Sequence, residues 1–342
     1  MYLSEHFTIK KAVSSLFLLL LTHPAVIRHH FVGATYLAVS CFKTSLFTFE
    51  LAHYQSISKK RMVFEHITPS PFLAPFVKKY LLLHFKVKQG NVSFVKPYPP
   101  CPEQCLTFNP RTPLTSINQH TDEVVQRGAC YVSGQQVSRL NLHISNDYIM
   151  LKVVFWPDAM YQLFGVPLRC ITDQYLDTES VIGHEIKTVN EQMANASSYH
   201  DIITIAEAYL WQKAKKRKID ASPVAQIGQL LIKDPNRFSL DWLANQACWS
   251  PRHLERQFIE RMGVSPKFLA RISRFDKAFE FKQQNPSLDW LSIALQTGYN
   301  DYQHLVKDFK QFAGVTPNLI LQAELDSPER RLGLVNKTMA TR

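Results

Sequence analysis

Five residues near the C-terminus occur twice: Ser239-Leu240-Asp241-Trp242-Leu243 returns as Ser287-Leu288-Asp289-Trp290-Leu291. A repeat of this kind restricts the fold more than composition can, because both copies must adopt one supersecondary unit. Each copy runs into an aliphatic-small pair, Leu243-Ala244 or Ile293-Ala294, and then past an aromatic, Trp249 or Tyr299. A helical stretch follows, SPRHLERQF (Ser250–Phe258) in one and DYQHLVKDF (Asp301–Phe309) in the other. Each copy closes with matching words, Gly263-Val264-Ser265-Pro266 and Gly314-Val315-Thr316-Pro317.

The pattern predicts helix, tight turn, helix, made twice. Ala244 and Ala294 are small where the second helix must cross the first. Gly298 supplies one turn and Cys248 takes its place in the other. Ser250 and Asp301 are good N-caps for the second helices. Leu254 and Phe258, then Leu305 and Phe309, stand four apart and face inward. That turns Arg252, Glu255 and Arg256 outward with Pro251, and correspondingly Tyr302, Gln303, Val306 and Lys307. Such sets suit a DNA major groove, where Arg pairs with guanine, Gln with adenine, and apolar groups meet the thymine methyl. Between the copies, Ser265–Gln284 is an amphipathic helix with Phe268, Leu269, Ile272, Phe275 and Phe279 on one stripe. It predicts a rigid spacer that lets both reading helices enter successive major grooves about 34 Å apart. Arg271 and Arg274 lie off that stripe, and phosphate contact and plain solvent exposure weigh equally for them.

The stretch from Ser239 to Pro317 resembles the DNA-binding domain of the AraC/XylS family of bacterial regulators. The residues that carry the resemblance are Leu243-Ala244, the S-x-x-x-L-x-R-x-F word at Ser250–Phe258, GVSP, Ile293-Ala294, GYND, Phe309-Lys310 and GVTP. It implies a seven-helix module of two helix-turn-helix units in which both second helices read DNA. The base readers it implies are Arg252, Glu255, Arg256, Tyr302, Gln303, Val306 and Lys307, with Ser250, Arg271, Arg274, Asp301 and Lys310 toward the backbone. The chain departs from the family at Leu305, where many members have Phe. Pro251 and Tyr302, at groove-facing sites, are individual to this chain.

Upstream the periodicity changes. YLLLHFKVK (Tyr80–Lys88), VSFVK, CLTFN, GACYV and IMLKVVF (Ile149–Phe155) are short β-rich runs separated by Pro, Gly and Asn, which suggests a small barrel or sandwich. Trp156-Pro157-Asp158 ends the last run, and Pro157 suits the first turn of a short helix, AMYQLFGVP, closed by Gly165. Two helices should follow. One carries Val181, Ile182, Ile186, Val189 and Met193; the other is capped by Ser198 and faced by Ile202, Ile205, Ala206, Tyr209 and Leu210. Packing on their own barrel and packing on a second subunit weigh equally. The basic run at 213–218 reads as a solvated helix end entering a linker. PSPFLAPFVKKY, LTFNP and FWPDAMYQLFGVP are similar to the cupin-like sensor domains found upstream in this family, which implies small-molecule sensing or dimerisation. No spaced His and Glu of a metal-binding cupin is present.

The fold class expected is therefore α+β. Residues 62–218 form a small cupin-like β-barrel with flanking helices. Residues 219–322 form an all-α domain of two helix-turn-helix units joined by a long helix, and 323–342 are a tail. Residues 1–61 read as a poorly structured extension. AVSSLFLLLL after Lys10-Lys11 resembles a short signal core, but no small-x-small site follows, and Met62 could be the true start.

Lys and Arg outnumber Asp and Glu by 39 to 28, which favours an anionic partner without proving one. Double-stranded DNA is that partner here. A small-molecule effector, a second copy of the chain and RNA polymerase are further candidates, and no membrane partner is expected in the cytoplasmic setting the family implies. Cys101 and Cys105 in CPEQC lack the second pair that a zinc site needs, so no metal and no cofactor is expected. The competing reading is an enzyme fused to such a module, as in DNA-repair methyltransferases that resemble these regulators. It would need a zinc-cysteine cluster or an activated nucleophile, and no G-x-S-x-G, H-E-x-x-H or Gly-rich phosphate loop is present. A catalytic residue is therefore not assigned.

Overall fold

A computed structural model describes residues 63–86, 94–112, 114–216 and 222–334. The extension expected over 1–61, the start at Met62 and the end of the basic run lie outside them. The described residues belong to one compact unit.

Among the described residues, ten strands form two antiparallel sheets. The larger has the order β1 (Val63–Ile67), β2 (Val77–Lys86), β9 (Asp147–Phe155), β4 (Cys105–Phe108), β7 (Cys130–Ser133), β10 (Tyr175–Asp177). The smaller runs β3 (Phe94–Tyr98), β8 (Leu140–Ile144), β5 (Leu114–Asn118), β6 (Val124–Arg127). β2 and β9 are the longest pair, in register through Leu82 opposite Leu151. Leu83, Phe85 and Tyr148 from the first sheet and Phe94, Leu114 and Ile144 from the second form one buried cluster. That cluster is what holds the sheets face to face, since each sheet alone would expose an apolar side.

One charge is buried with its partners. Lys152 donates to the Glu103 carboxylate and to the Tyr98 hydroxyl, both at 2.6 Å. Burial pushes the Glu103 carboxyl up, but Lys152 and Lys79 outweigh it and hold the group well below the usual carboxylate range.

A short helix, α1 (Ala159–Phe164), lies between β9 and β10, and three helices follow β10: α2 (Thr178–Val181), α3 (Glu185–Ala194) and α4 (Tyr199–Lys215). Gly165 closes α1 in the left-handed region, as expected. Pro157, however, lies before the N-cap Asp158 (φ 72°) instead of in the first turn. The stripe from Val181 to Met193 is also not one helix. It breaks at Gly183, whose φ of 123° interrupts the helical path, so only Ile186, Val189 and Met193 share a buried face. Ser198 caps α4 through a reciprocal bond with Asp201. α4 packs on its own barrel: Glu207 accepts from the Ser70 amide and the Tyr80 hydroxyl, and Tyr199 contacts His84.

The remainder is helical: α5 (Pro223–Lys233), α6 (Leu240–Gln246), α7 (Pro251–Met262), α8 (Pro266–Gln284), α9 (Trp290–Gln296), α10 (Tyr302–Ala313), α11 (Pro317–Leu325) and α12 (Pro328–Arg331). Two separate cores result. One gathers Leu231, Leu243, Leu254, Phe258 and Leu269; the other gathers Phe275, Phe279, Ile293, Leu305 and Phe309. α8 contributes to both, and Phe268 packs against each. The segment expected as a tail contains, in its described part, the end of α11 and all of α12. Leu332 and Leu334 beyond it pack on the barrel cluster, while Glu329, 3% exposed, pairs with Lys96 of β3.

The barrel and the helical part meet closely at the end of α7. Arg261 reaches the buried Asp158 carboxylate at 2.7 Å, Gln104 donates to the Met262 carbonyl at 3.3 Å, and Thr172 donates to the Gly263 carbonyl at 2.7 Å. Gly228 of α5 lies against Pro157 so tightly that a Cβ there would sit 2.6 Å from the proline Cβ.

Candidate nucleic-acid interface

Each second helix of the repeat begins on the cap its sequence foretold. Ser250 accepts from the His253 amide at 3.2 Å, and Asp301 accepts from the His304 amide at 2.7 Å. A Gly in the left-handed region ends each helix, Gly263 (φ 82°) and Gly314 (φ 71°), so both run twelve residues. Leu254 and Phe258, like Leu305 and Phe309, are fully buried. The opposite faces follow from that: Arg252, Glu255, Arg256, Gln303, Lys307 and Lys310 are exposed, and Tyr302 and Val306 are half-buried. Tyr302 leans on the second core. Arg256 is engaged within its own helix, its guanidinium bonded to the His253 ring at 3.2 Å.

The turns are matched in backbone but not in residue. Gly298 has φ 88° and Cys248 has φ 54°. Each is followed by an aromatic whose ring packs edge-on against a histidine of the next helix, Trp249 on His253 at 4.7 Å and Tyr299 on His304 at 5.6 Å.

The repeated SLDWL words are not structurally equivalent. Ser239 caps α6, whereas Asp289, two residues further along the word, caps α9. The slip turns Trp242 outward (40% exposed) and Trp290 inward (8% exposed). Trp290 then donates to Asn318 at 2.6 Å and fastens α9 to α11.

Arg271 and Arg274, the two off-stripe arginines of α8, converge on a residue that the pattern did not single out. Asp308 of α10 is 1% exposed. It accepts from Arg271 at 2.5 Å and from the Tyr299 hydroxyl at 3.2 Å, and Arg274 lies 3.6 Å away. The spacer helix α8 is thus tied to α10 by charge as well as by apolar packing. The same arginines, with Lys267, His304 and Lys307, line an open groove between the units. Ser250 and Asp301 spend their side-chain oxygens on the caps, and Lys310 is exposed on the last turns of α10.

Elsewhere the chemistry is muted. Burial pushes the Cys105 thiol up to about 12, so it stays protonated near neutral pH. Among the described residues no group of three or more His, Cys, Asp or Glu could hold a metal, and no helix is long and apolar enough to cross a membrane.

Two cap-matched, turn-matched helix pairs on one spacer define a double helix-turn-helix module, the architecture of a DNA-binding protein. Residues 243–323 match a helix-turn-helix domain family, and residues 65–177 match a domain of unknown function, DUF6597. The C-terminal part of this chain carries a helix-turn-helix domain. An "uncharacterized HTH-type transcriptional regulator" of Haemophilus influenzae is 32% identical over 90 residues, which is 26% of this chain and 30% of that relative. The chain therefore matches under a third of that relative's length. Among solved structures, ToxT from Vibrio cholerae is similar with a TM-score of 0.41 and 14% identity, over 71% of this chain and 98% of that one. The AraC-like transcriptional activator CuxR is similar with a TM-score of 0.24 and 12% identity, over 61% and 92%.

Proposed function

We propose that this protein regulates transcription by binding specific DNA sequences, with α7 and α10 reading successive major grooves. The observation that carries the reading is the exposed polar face repeated on two identically capped helices, while the opposite faces are wholly committed to two cores. Arg252, Glu255 and Arg256 of α7, and Tyr302, Gln303, Val306 and Lys307 of α10, contact base edges. Ser250, Arg271, Arg274, Asp301 and Lys310 lie toward the backbone. The groove between the units supports the placing of Arg271 and Arg274. Since both are already bound to Asp308, they offer phosphate only the donors that Asp308 leaves over.

Residues 62–218 act in this reading as a sensor or dimerisation domain and 219–322 as the DNA-binding domain. The protein works as a homodimer in the cytoplasm, and RNA polymerase is its downstream partner. We assign it no reaction.

The test is selection of bound duplexes from a random library by the full chain. Two enriched boxes about one helical turn apart are expected. Arg252→Ala or Gln303→Ala should relax preference at one position and cost about 1–3 kcal/mol there. Equal weakening on every sequence would reduce those side chains to backbone contacts, and no enrichment at low salt would remove the reading.

A further inference from the structure

The barrel grips the two helix-turn-helix units at the same point of the repeat. Met262 and Ala313 are the last residues of α7 and α10, each directly before the glycine that ends its helix. Their carbonyls lie in the last turn, where the helix itself supplies no donor, and both residues are buried. A buried carbonyl needs a donor from elsewhere. In each case a barrel side chain provides it. Gln104 Nε2 donates to the Met262 carbonyl at 3.3 Å, and Arg139 Nη1 donates to the Ala313 carbonyl at 3.3 Å.

The two donors come from different sheets. Gln104, 3% exposed, directly precedes β4 of the larger sheet. Arg139 directly precedes β8 of the smaller one. Asn141 of β8 steadies the Arg139 guanidinium, accepting from Nε at 3.2 Å and from Nη2 at 2.9 Å. The neighbouring contacts divide in the same way. Asp158, which follows β9, and Thr172, which precedes β10, hold Arg261 and the Gly263 carbonyl at the end of the first unit. Lys96 of β3 pairs instead with Glu329, beyond the second unit.

α8 alone is a single connection between the units, and two bodies joined along one helix can still pivot about it. Attaching each unit to its own sheet closes a ring that runs from the first unit through α8, the second unit and the smaller sheet to the larger one. The separation and mutual tilt of α7 and α10 are then set by the packing of sheet on sheet as well as by α8. We propose that Gln104 and Arg139 are positioning residues through which the barrel fixes the distance between α7 and α10, and so selects the spacing of the two DNA boxes. The inference rests on α7 and α10 being the helices that read DNA.

The experiment takes the two boxes enriched by the full chain and joins them by spacers that vary in single base pairs. Each added pair moves the second box about 3.4 Å along and about 35° around the duplex, so a fixed pair of helices accepts one spacer and rejects its neighbours. The unaltered chain should prefer its best spacer at least tenfold over those one pair longer or shorter. Gln104→Ala and Arg139→Ala should each keep the box sequences but reduce that preference to threefold or less. Arg139→Lys, which retains a donor, should stay above the alanine value. A preference unchanged in both alanine variants overturns the proposal, and so does equal weakening on every spacer, which a purely structural loss would give. Should Gln104→Ala fail to fold, Arg139→Ala, at a half-buried position, decides alone. Boxes with no spacer preference in the unaltered chain remove only this inference, whereas failure to enrich any box removes the regulatory reading with it.

Discussion

Cys248 and Gly298 occupy the same turn in the two helix pairs, at φ 54° and 88°. Only the second is a residue at ease there, because a Cβ in the left-handed region crowds the neighbouring carbonyl. Gly298→Ala should therefore cost about 1–2 kcal/mol, and the new Cβ must also displace the Asn236 side chain, which lies within 2.3 Å of its position. Cys248→Gly should do the reverse and stabilise by up to about 1 kcal/mol. Urea denaturation of the two variants reads both, and equal, small effects would show the turns to be unstrained. Much at this scale was visible in the sequence. Ser250, Asp301, Leu254 and Leu305 act through neighbours three or four positions away, so local spacing suffices to place them. The equivalence of Cys248 and Gly298 was visible too, but its backbone angle was not.

At the level of elements, the spacer helix α8 and α10 are joined through Asp308. Removing the carboxylate leaves Arg271 and Arg274 without their anchor. A fully buried pair broken this way costs about 3–5 kcal/mol, but these arginines keep 26% and 19% of their side chains exposed. They can turn to solvent, so Asp308→Asn should cost about 2 kcal/mol. Hydrogen exchange should quicken in α10 and α9 and remain unchanged in α7. Uniform loosening of both units would instead mean that the two cores unfold as one. The repeat exposed both helix pairs in the sequence, yet it misaligned them. SLDWL is the most conspicuous word in the chain, but the helices align on Ala244 with Ala294. The N-caps follow that alignment, and so Trp242 and Trp290 end in different environments. Strands were harder to place. β2, β4, β7 and β9 are apolar enough to read, whereas β5, β6, β8 and β10 carry polar residues at alternate or edge positions and are specified by the partners they pair with.

At the scale of the whole molecule, the C-terminal segment returns to the barrel. After the second helix-turn-helix unit, Ser327, Pro328 and Glu329 are buried, and Leu332 and Leu334 cover the barrel cluster. Ending the chain after Asp326 should uncover that cluster and leave Lys96 without Glu329, at a cost of about 2–4 kcal/mol from lost apolar burial. Thermal unfolding of the shortened chain measures it, and an unchanged melting temperature would make the contact incidental. With the Asp158–Arg261 pair and the approach of Gly228 to Pro157, this contact joins barrel and DNA-binding helices at both ends of the helical part. The sequence by itself determined the double helix-turn-helix module, its capped and outward faces, and a β-rich domain before it. Those properties reside in periodicity, caps and turn residues, which act over a few positions. Only the tertiary structure decided which charges are paired, how the repeat is registered, and that the C-terminal segment packs on the barrel. These depend on residues far apart in the chain, where burial sets how strongly charges interact and only the fold determines which groups meet.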